Sequence, residues 1–350
     1  MKKFTKMWAI AACALFAGTA AVNAEDYTWK FVTAGDATTY AIRSDGSLWS
    51  WGWNEKGQGG NGVSERTATP TLADGNRVWK KAVGGKAYGF FLAEDGSLWA
   101  AGTHEGGVQG TNDGIDHKVL TRIGTDNDWA DMAFSRFLGY SGFAIKTNGT
   151  LWAWGKNSAG QLGIGNTQAQ TAPVQVGADM DWKQVAAGCS SVLALKTDGS
   201  LWGWGFNMYS ELFGHEGKQL SPVRLGSETD WEQVVVIDFR AYAVKKDGTL
   251  WAWGDNANNL LGFNTPTEEE TTAEGNPVEV VTVPQITAPT HVTSIEGKVL
   301  TISGCENTLS VATGTDGVIE KVWMLGSNTD GALGDGKGLG NGNKDIPFAK

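Results

Sequence analysis

The octet at residues 198–205, D-G-S-L-W-G-W-G, occurs six times with small changes, and this recurrence narrows the fold more than any other feature of the 350-residue chain. The other copies begin at Asp45, Asp95, Asn148, Asp247 and Asp316, so successive starts lie 50, 53, 50, 49 and 69 residues apart. A fixed period near 50 residues marks a repeat architecture in which each repeat is one supersecondary unit, and propeller blades have periods of this size.

The octet itself reads as a turn and a strand. Asp-Gly, or Asn-Gly at Asn148, is the strongest short signal for a two-residue hairpin, because both central residues of a type I′ turn need positive φ. Leu201-Trp202-Gly203-Trp204 then alternates, with the two Trp residues on one face and Leu201 and Gly203 on the other. The position between the Trp sites is Ser50, Ala100, Ala153, Gly203, Ala252 and Met324, small in five of the six. Both faces therefore read as buried. A sheet with water on one side would alternate with polar residues instead. Upstream lies an alternating run such as Ser191–Lys196, and before it a run led by Trp29, Trp79, Trp129, Trp182 or Trp231. Downstream come a Gly-rich loop and a Pro-led strand such as the one at Pro173. Four short strands per repeat is the content of a propeller blade. The expected fold is all-β, a β-propeller of six four-stranded blades. A seventh blade would need strands the sequence does not supply.

The loop after the octet carries a resemblance. Asn157-Ser158-Ala159-Gly160-Gln161-Leu162-Gly163, following Trp154-Gly155, resembles the signature of the regulator of chromosome condensation repeat family, in the form of a secreted, bacterial-type member. Repeat one keeps Asn54, Gly57, Gln58, Gly60 and Gly62, and repeat six keeps Asn328, Gly331, Leu333, Gly334 and Gly336. Repeats four and five depart, with Ser210-Glu211-Leu212 and Asn259-Leu260-Leu261 where Gly-Gln-Leu is expected, and repeat two is the weakest match. The resemblance covers roughly residue 27 to the C-terminus. It implies a propeller. It says little about function, because function sits in sites grafted on folds. The family's founding activity is nucleotide exchange on a nuclear GTPase, and a secreted member clasps a protein with one propeller face.

Residues 1–24 read as a signal peptide: Lys2, Lys3 and Lys6, an apolar stretch, then Val22-Asn23-Ala24 as a small–x–small cleavage site. The expected location is exported, whether periplasmic, cell-surface or extracellular, with no membrane insertion once the leader is removed. Residues 25–350 read as one propeller domain, with repeats at about 27–75, 76–125, 126–178, 179–227, 228–283 and 284–350. Gly makes up 49 residues, about twice the usual ~7%, which suits many tight turns. Taking the three leader lysines from 28 basic residues leaves 25 against 38 acidic ones, a net charge of −13. Nucleic-acid binding wants a basic footprint instead, so that partner class and the nuclear roles are set aside.

Two cysteines remain, Cys189 and Cys305, at equivalent places two blades apart and thus too distant for a disulfide. The loop between the first two strands of repeat three, 135–141, is about three residues longer than its counterparts. The segment 263–294 is the large departure, read as an enlarged loop with Glu268-Glu269-Glu270, the Pro277 strand of repeat five, and a Pro- and Thr-rich tail. Residues 346–350 read as a last Pro-led strand.

Catalytic and metal signatures are not found in the sequence. There is no His-Glu-x-x-His, Gly-x-Ser-x-Gly, phosphate loop or close Cys pair. His104, His117, His215 and His291 are scattered and read as loop histidines. Asp126-Asn127-Asp128 departs from a calcium loop at Ala130. The expectation is no enzyme, cofactor or metal, and a monomer. The chain reads as a secreted binding module for a protein or peptide, with a carbohydrate-binding propeller or a glycan-active enzyme as alternatives. Asp-Gly turns are nearly the same in every repeat, so the opposite end of the blades carries the chemical variety. There the candidate partner-binding residues are Trp53, Tyr88, Arg136, Phe137, Tyr140, Phe206, Tyr209, Phe239 and Arg240. Aromatics and Arg are the types enriched at interface hot spots.

Overall fold

A computed structural model describes residues 28–35, 37–85, 87–135, 140–257, 260–263, 269–271, 277–279, 285–305, 308–327 and 341–346. The leader lies outside them. The chain divides into two compact units, Met1–Asn157 with Gln168–Met180, and Ser158–Thr167 with Asp181–Lys350. The first holds three four-stranded sheets. They are β1 (Trp29–Ala34), β2 (Thr38–Arg43), β3 (Leu48–Gly52) and β4 (Thr67–Asp74); β5 (Trp79–Gly84), β6 (Tyr88–Ala93), β7 (Leu98–Gly102) and β8 (His117–Arg122); and β9 (Trp129–Phe134), β10 (Ser141–Lys146), β11 (Leu151–Gly155) and β12 (Gln170–Gln175).

The second unit holds β13 (Trp182–Ala187), β14 (Ser191–Lys196), β15 (Leu201–Asn207) and β16 (Gly217–Arg224), then β17 (Trp231–Ile237), β18 (Arg240–Lys245) and β19 (Leu250–Asp255). A two-stranded hairpin follows, β20 (Glu269–Thr271) with β21 (Pro277–Glu279). The fifth sheet is closed by β22 (Gln285–His291), and the sixth is β23 (Val299–Cys305), β24 (Thr308–Thr315), β25 (Val318–Ser327) and β26 (Asn341–Ile346). Every sheet is an antiparallel meander in chain order.

Two strands differ from the sequence reading. The fourth strand of sheet five is β22, paired Trp251 to His291, and not the Pro277 segment, which folds back on Glu269–Thr271. Both segments contain Pro with flanking β-formers, so composition could not choose between them. The strand that closes the sheet is the one whose Pro, Pro289, precedes the partner of Ala252, as Pro173 precedes the partner of Ala153. The boundary set at 283 therefore falls before the strand that completes the fifth unit. In sheet six the closing strand is Asn341–Ile346 and not the segment at 346–350, of which 347–350 lie outside the described residues.

The Asp-Gly turns also differ. In five repeats only the Gly has positive φ, as at Gly46 (87°) and Gly199 (86°). Gly199 N donates to Lys196 O at 3.0 Å, and Lys196 N donates to Ser200 O at 3.1 Å. That is a three-residue loop, a turn followed by a left-handed residue. The type I′ pattern, with both residues positive, occurs at Asp316 (50°) and Gly317 (79°). The reason lies in the residue after the Gly. Asp198 Oδ1 accepts from Ser200 N at 2.8 Å and from Ser200 Oγ at 2.6 Å, and Ser200 Oγ accepts from Trp202 Nε1 at 2.9 Å. The same relay runs Asp45-Ser47-Trp49, Asp95-Ser97-Trp99, Asn148-Thr150-Trp152 and Asp247-Thr249-Trp251. Repeat six has Val318 there, and its Trp323 donates to Thr313 Oγ1 instead. The hydroxyl and amide hold the Asp45, Asp95, Asp198 and Asp247 carboxyls below the usual range.

Both faces of the third strand are buried, as the alternation predicts. Leu201 and Trp204 are fully buried, and a Cβ on Gly203 would meet Leu212 Cδ2 at 2.6 Å. Trp204 donates its indole N–H to Gln161 O at 2.8 Å, and Trp253 to Glu211 O at 2.8 Å. A bulge after each leading Trp sets Trp182 opposite Lys196. The Lys196 ammonium then sits 4.9 Å from the Trp182 ring and 4.5 Å from the Trp202 ring, and 3.0 Å from Asp181. Lys146 and Lys245 repeat the arrangement, and Lys146 takes up the Asp126 and Asp128 carboxylates. The glycine after the second Trp is obligatory: at Gly205 φ is +94° and a Cβ would stand 2.2 Å from Ser190 O.

Candidate functional site

Within each sheet, the first-to-second and third-to-fourth loops lie at one end and the Asp-Gly turns at the other. The first kind of end is where the candidate residues were placed by sequence. An Asn builds the third-to-fourth loop, buried at Asn54 and Asn256 and half-buried at Asn207. Asn207 Oδ1 accepts from Leu212 N at 3.0 Å, and its Nδ2 donates to Leu212 O at 3.2 Å. Asn54 and Asn256 accept from Gly59 N and Leu261 N in the same way. An amide that both donates and accepts closes the loop into a rigid turn, and residues on its outer side are displayed on a fixed frame.

The nine candidates do not all reach the surface. Tyr88 is fully buried, its hydroxyl donating to Ser135 O at 2.6 Å and its ring packed on Phe90 and Phe134. It is a core residue and not a contact residue. Arg240 is 4% exposed and pairs with Asp238 at 3.2 Å. Both open the second strand of their blade, where the side chain turns inward, and residue type alone did not show that. Arg136 and Phe137 lie outside the described residues. The other five are half-buried.

In the first unit, Trp53 neighbours Glu55; the hydrogen bonds from Trp53 and Arg66 hold that carboxyl below its usual range. Tyr140 has φ +43°, and the Lys156 ammonium stands 4.0 Å from its ring centre while pairing with Glu105 at 2.9 Å. In the second unit, Phe206 faces Lys218 at 6.0 Å, and Tyr209 meets Phe239 at 4.9 Å with the rings tilted by 51°. Tyr209 and Phe239 come from different blades. Met208, 47% exposed, extends the same loop outward.

Three further residues in the second unit belong to this patch and were not among the candidates. Ser210 has φ +68° at a place where repeats one and three have Gly57 (77°) and Gly160 (77°). Asp238, beside Phe239, has φ +55°. Left-handed backbone at non-glycine residues is costly and clusters at functional sites. Glu211, fully buried, accepts from Tyr209 N at 2.8 Å and from Ser191 Oγ at 3.3 Å, and burial pushes its carboxyl up to about 7. The signal was present in the sequence as Ser210-Glu211 standing where Gly-Gln is expected, but it read only as drift.

His104 is a loop residue, whereas His117 and His291 stand at strand ends: His104 meets Asp116 and His117 meets Asp113, each at 2.8 Å, and His291 stacks on Trp251. Among the described residues no group of three His, Cys, Asp or Glu side chains is placed to hold a metal.

A sequence model of the regulator of chromosome condensation repeat matches residues 45–92 and 148–195, and a second form of that model matches 29–58. These stretches are regulator of chromosome condensation repeats. The ultraviolet-B receptor UVR8 of Arabidopsis thaliana is 28% identical over 163 residues, which is 46% of this chain and 37% of the receptor. The chain thus spans under two fifths of the length of the curated relatives it matches. Human WBSCR16 superposes with a TM-score of 0.76 at 17% identity, over 93% of this chain and 83% of that one. Prp20p of Saccharomyces cerevisiae, a structure described with its binding to Gsp1p and histones, gives 0.72 at 17% identity, over 91% and 76%. At that identity the likeness shows the fold, and the six four-stranded sheets are the blades of a β-propeller.

Proposed function

We propose that the chain is an exported binding module that takes a protein or peptide partner on the loop end of its blades, with Tyr209 and Phe239 at the centre. The observation that carries this is the pair itself. Two half-buried aromatic rings from separate blades meet at 4.9 Å, and each is flanked by a non-glycine residue held at positive φ. Strained, pre-set loops that display aromatics lose little freedom on binding. Prp20p, on the same fold, is described as binding proteins. The reading assigns no catalytic step and no cofactor.

Capture from the exported protein fraction tests it. Replacing Tyr209 and Phe239 together by Ala is expected to weaken capture of the partner by at least about 30-fold, the size of a hot-spot loss, and to leave the melting temperature nearly unchanged. Capture that survives the double change places the site elsewhere. A glycan-array signal lost in the same variant would make the ligand a carbohydrate.

Export rests on the leader. N-terminal sequencing of the protein from the outside fraction is expected to read Glu25 first. A lipid-bearing Cys13 at that position would overturn the assignment.

A further inference from the structure

Repeats one to three put a buried glutamine, Gln58, Gln109 and Gln161, at the place where repeat four has Glu211. In Gln58 the amide does two jobs, of which Gln161 shows the first and Gln109 the second. Its oxygen accepts the N–H two residues earlier, from Lys56 at 3.1 Å and from Ala159 at 2.9 Å. Its nitrogen donates across the blade, from Gln58 to Thr38 Oγ1 at 3.4 Å and from Gln109 to Gly102 O. Glu211 keeps the first contact with Tyr209 N, and faces Ser191 Oγ in the place of the second. A protonated carboxyl can fill both roles, one oxygen accepting and the other donating to Ser191. A carboxylate has no donor and leaves a charge in a site with no solvent exposure.

We propose that Glu211 is a proton-operated latch for the Tyr209 loop, closed when the carboxyl carries its proton and released when it does not. The consequence for a partner rests on the binding reading given above; the latch itself does not. The N–H groups of Tyr209, Met208 and Glu211 itself favour the carboxylate, but burial outweighs them, so the charge is relieved by opening to water, and the strained bend at Ser210, φ +68°, is where the loop gives. Trp253 holds the backbone oxygen of Glu211 from the next blade, so the hinge side stays fixed while the Tyr209 side opens.

Among the described residues, the facing elements supply no counter-charge. Ser191 is the contact from β14, and His215, in the same loop, lies against Arg224 O. From β18 and the loop before it come Asp238 and Arg240, paired with each other at 3.2 Å, and Cys189 directs its thiol to Asp238 at 3.6 Å. Tyr242 is buried, its hydroxyl given to Leu260 O at 3.0 Å. No described cation pairs with Glu211. Burial therefore dominates and pushes the carboxyl up to about 7, which places the switch near neutral pH.

Amide hydrogen exchange on the full chain tests this, at pH 6 and pH 8.5, with rates corrected for the intrinsic effect of pH. Protection over residues 207–213 is expected to fall by about 10-fold or more between the two in the wild type, since each unit above the midpoint is a factor of ten. Glu211→Gln is expected to keep its protection at both. Glu211→Leu, which borrows the residue type of Leu260 in repeat five, serves as a second variant without an ionisable group and is expected to be equally flat. A flat wild type, or the same loss in Glu211→Gln, overturns the latch. If exchange is flat while capture still needs Tyr209 and Phe239, the latch fails and the binding site stands. If exchange switches while the double Ala variant still captures the partner, the latch stands and the site is elsewhere.

Discussion

Trp204→Ala is expected to remove roughly 3–5 kcal/mol of stability, the range for truncating a fully buried aromatic. The ring has no exposure, and it lies close enough to Gly163 that a Cβ there would meet its Nε1 at 2.8 Å. Its edge meets Trp182 at 6.0 Å. Truncation leaves a cavity between the third strand of blade four and the loop that carries Gln161. It also strands Gln161 O, which accepts the indole N–H at 2.8 Å, and an orphaned buried acceptor adds about 1–3 kcal/mol of its own within that total. Trp202, two residues earlier, is half-buried under Lys196, so Trp202→Ala is expected to cost less. Urea denaturation of the two variants beside the wild type measures both. Equal midpoints for Trp204→Ala and the wild type would mean that the inner Trp sites are not core.

What the sequence conveyed well was whatever repeats. Trp202-Gly203-Trp204 reads as a strand buried on both faces because alternation is a property of the strand alone, and six copies in phase remove the ambiguity of any one. The turn was harder. Asp-Gly signals a hairpin, but whether it is a two- or three-residue loop depends on Ser200, whose hydroxyl bridges Asp198 to Trp202; repeat six, with Val318 there, is the copy that takes the type I′ form. Pro277 misled for the opposite reason. A Pro-led strand is recognised by what it pairs with, and pairing partners of Ala252 are not written in a local segment.

The candidate site was legible by loop and not by side chain. Tyr88 and Tyr209 are the same residue type at the same end of their blades, yet one fills the core and the other sits over a buried acid. Position along the strand decided it: Tyr88 begins β6, and Tyr209 rides on a loop closed by Asn207. Glu211 is the clearest gap. One substitution in an otherwise structural motif looks like tolerated drift until burial shows that the new group titrates where its amide counterparts cannot.

That titration sets the second large effect, on stability against pH. Glu211 has its folded midpoint near 7, above the ordinary value of 4.5. Between those values the folded chain holds a proton that the unfolded chain has released, so stability falls as pH rises through the window. The full difference, 2.5 units at about 1.4 kcal/mol each, is about 3 kcal/mol once pH exceeds 7. Glu211→Gln abolishes the titration and keeps both hydrogen bonds. It is expected to match the wild type near pH 4.5 and to exceed it by up to about 3 kcal/mol at pH 8. Asp45, Asp95, Asp198 and Asp247 act in the other direction. Their carboxyls are held low by the turn hydroxyls, so what they contribute is present above the ordinary Asp value and fades as pH falls through the lowered one. They are shared by both proteins, lie below the Glu211 window and cancel in the comparison. Denaturant midpoints of wild type and Glu211→Gln at half-unit steps from pH 4.5 to 8 read the difference directly. Curves that diverge above pH 5 and run parallel beyond 7 are the expected result. Curves parallel throughout would show that Glu211 ionises in the fold as freely as in the unfolded chain, and that its burial is relieved by water at no cost.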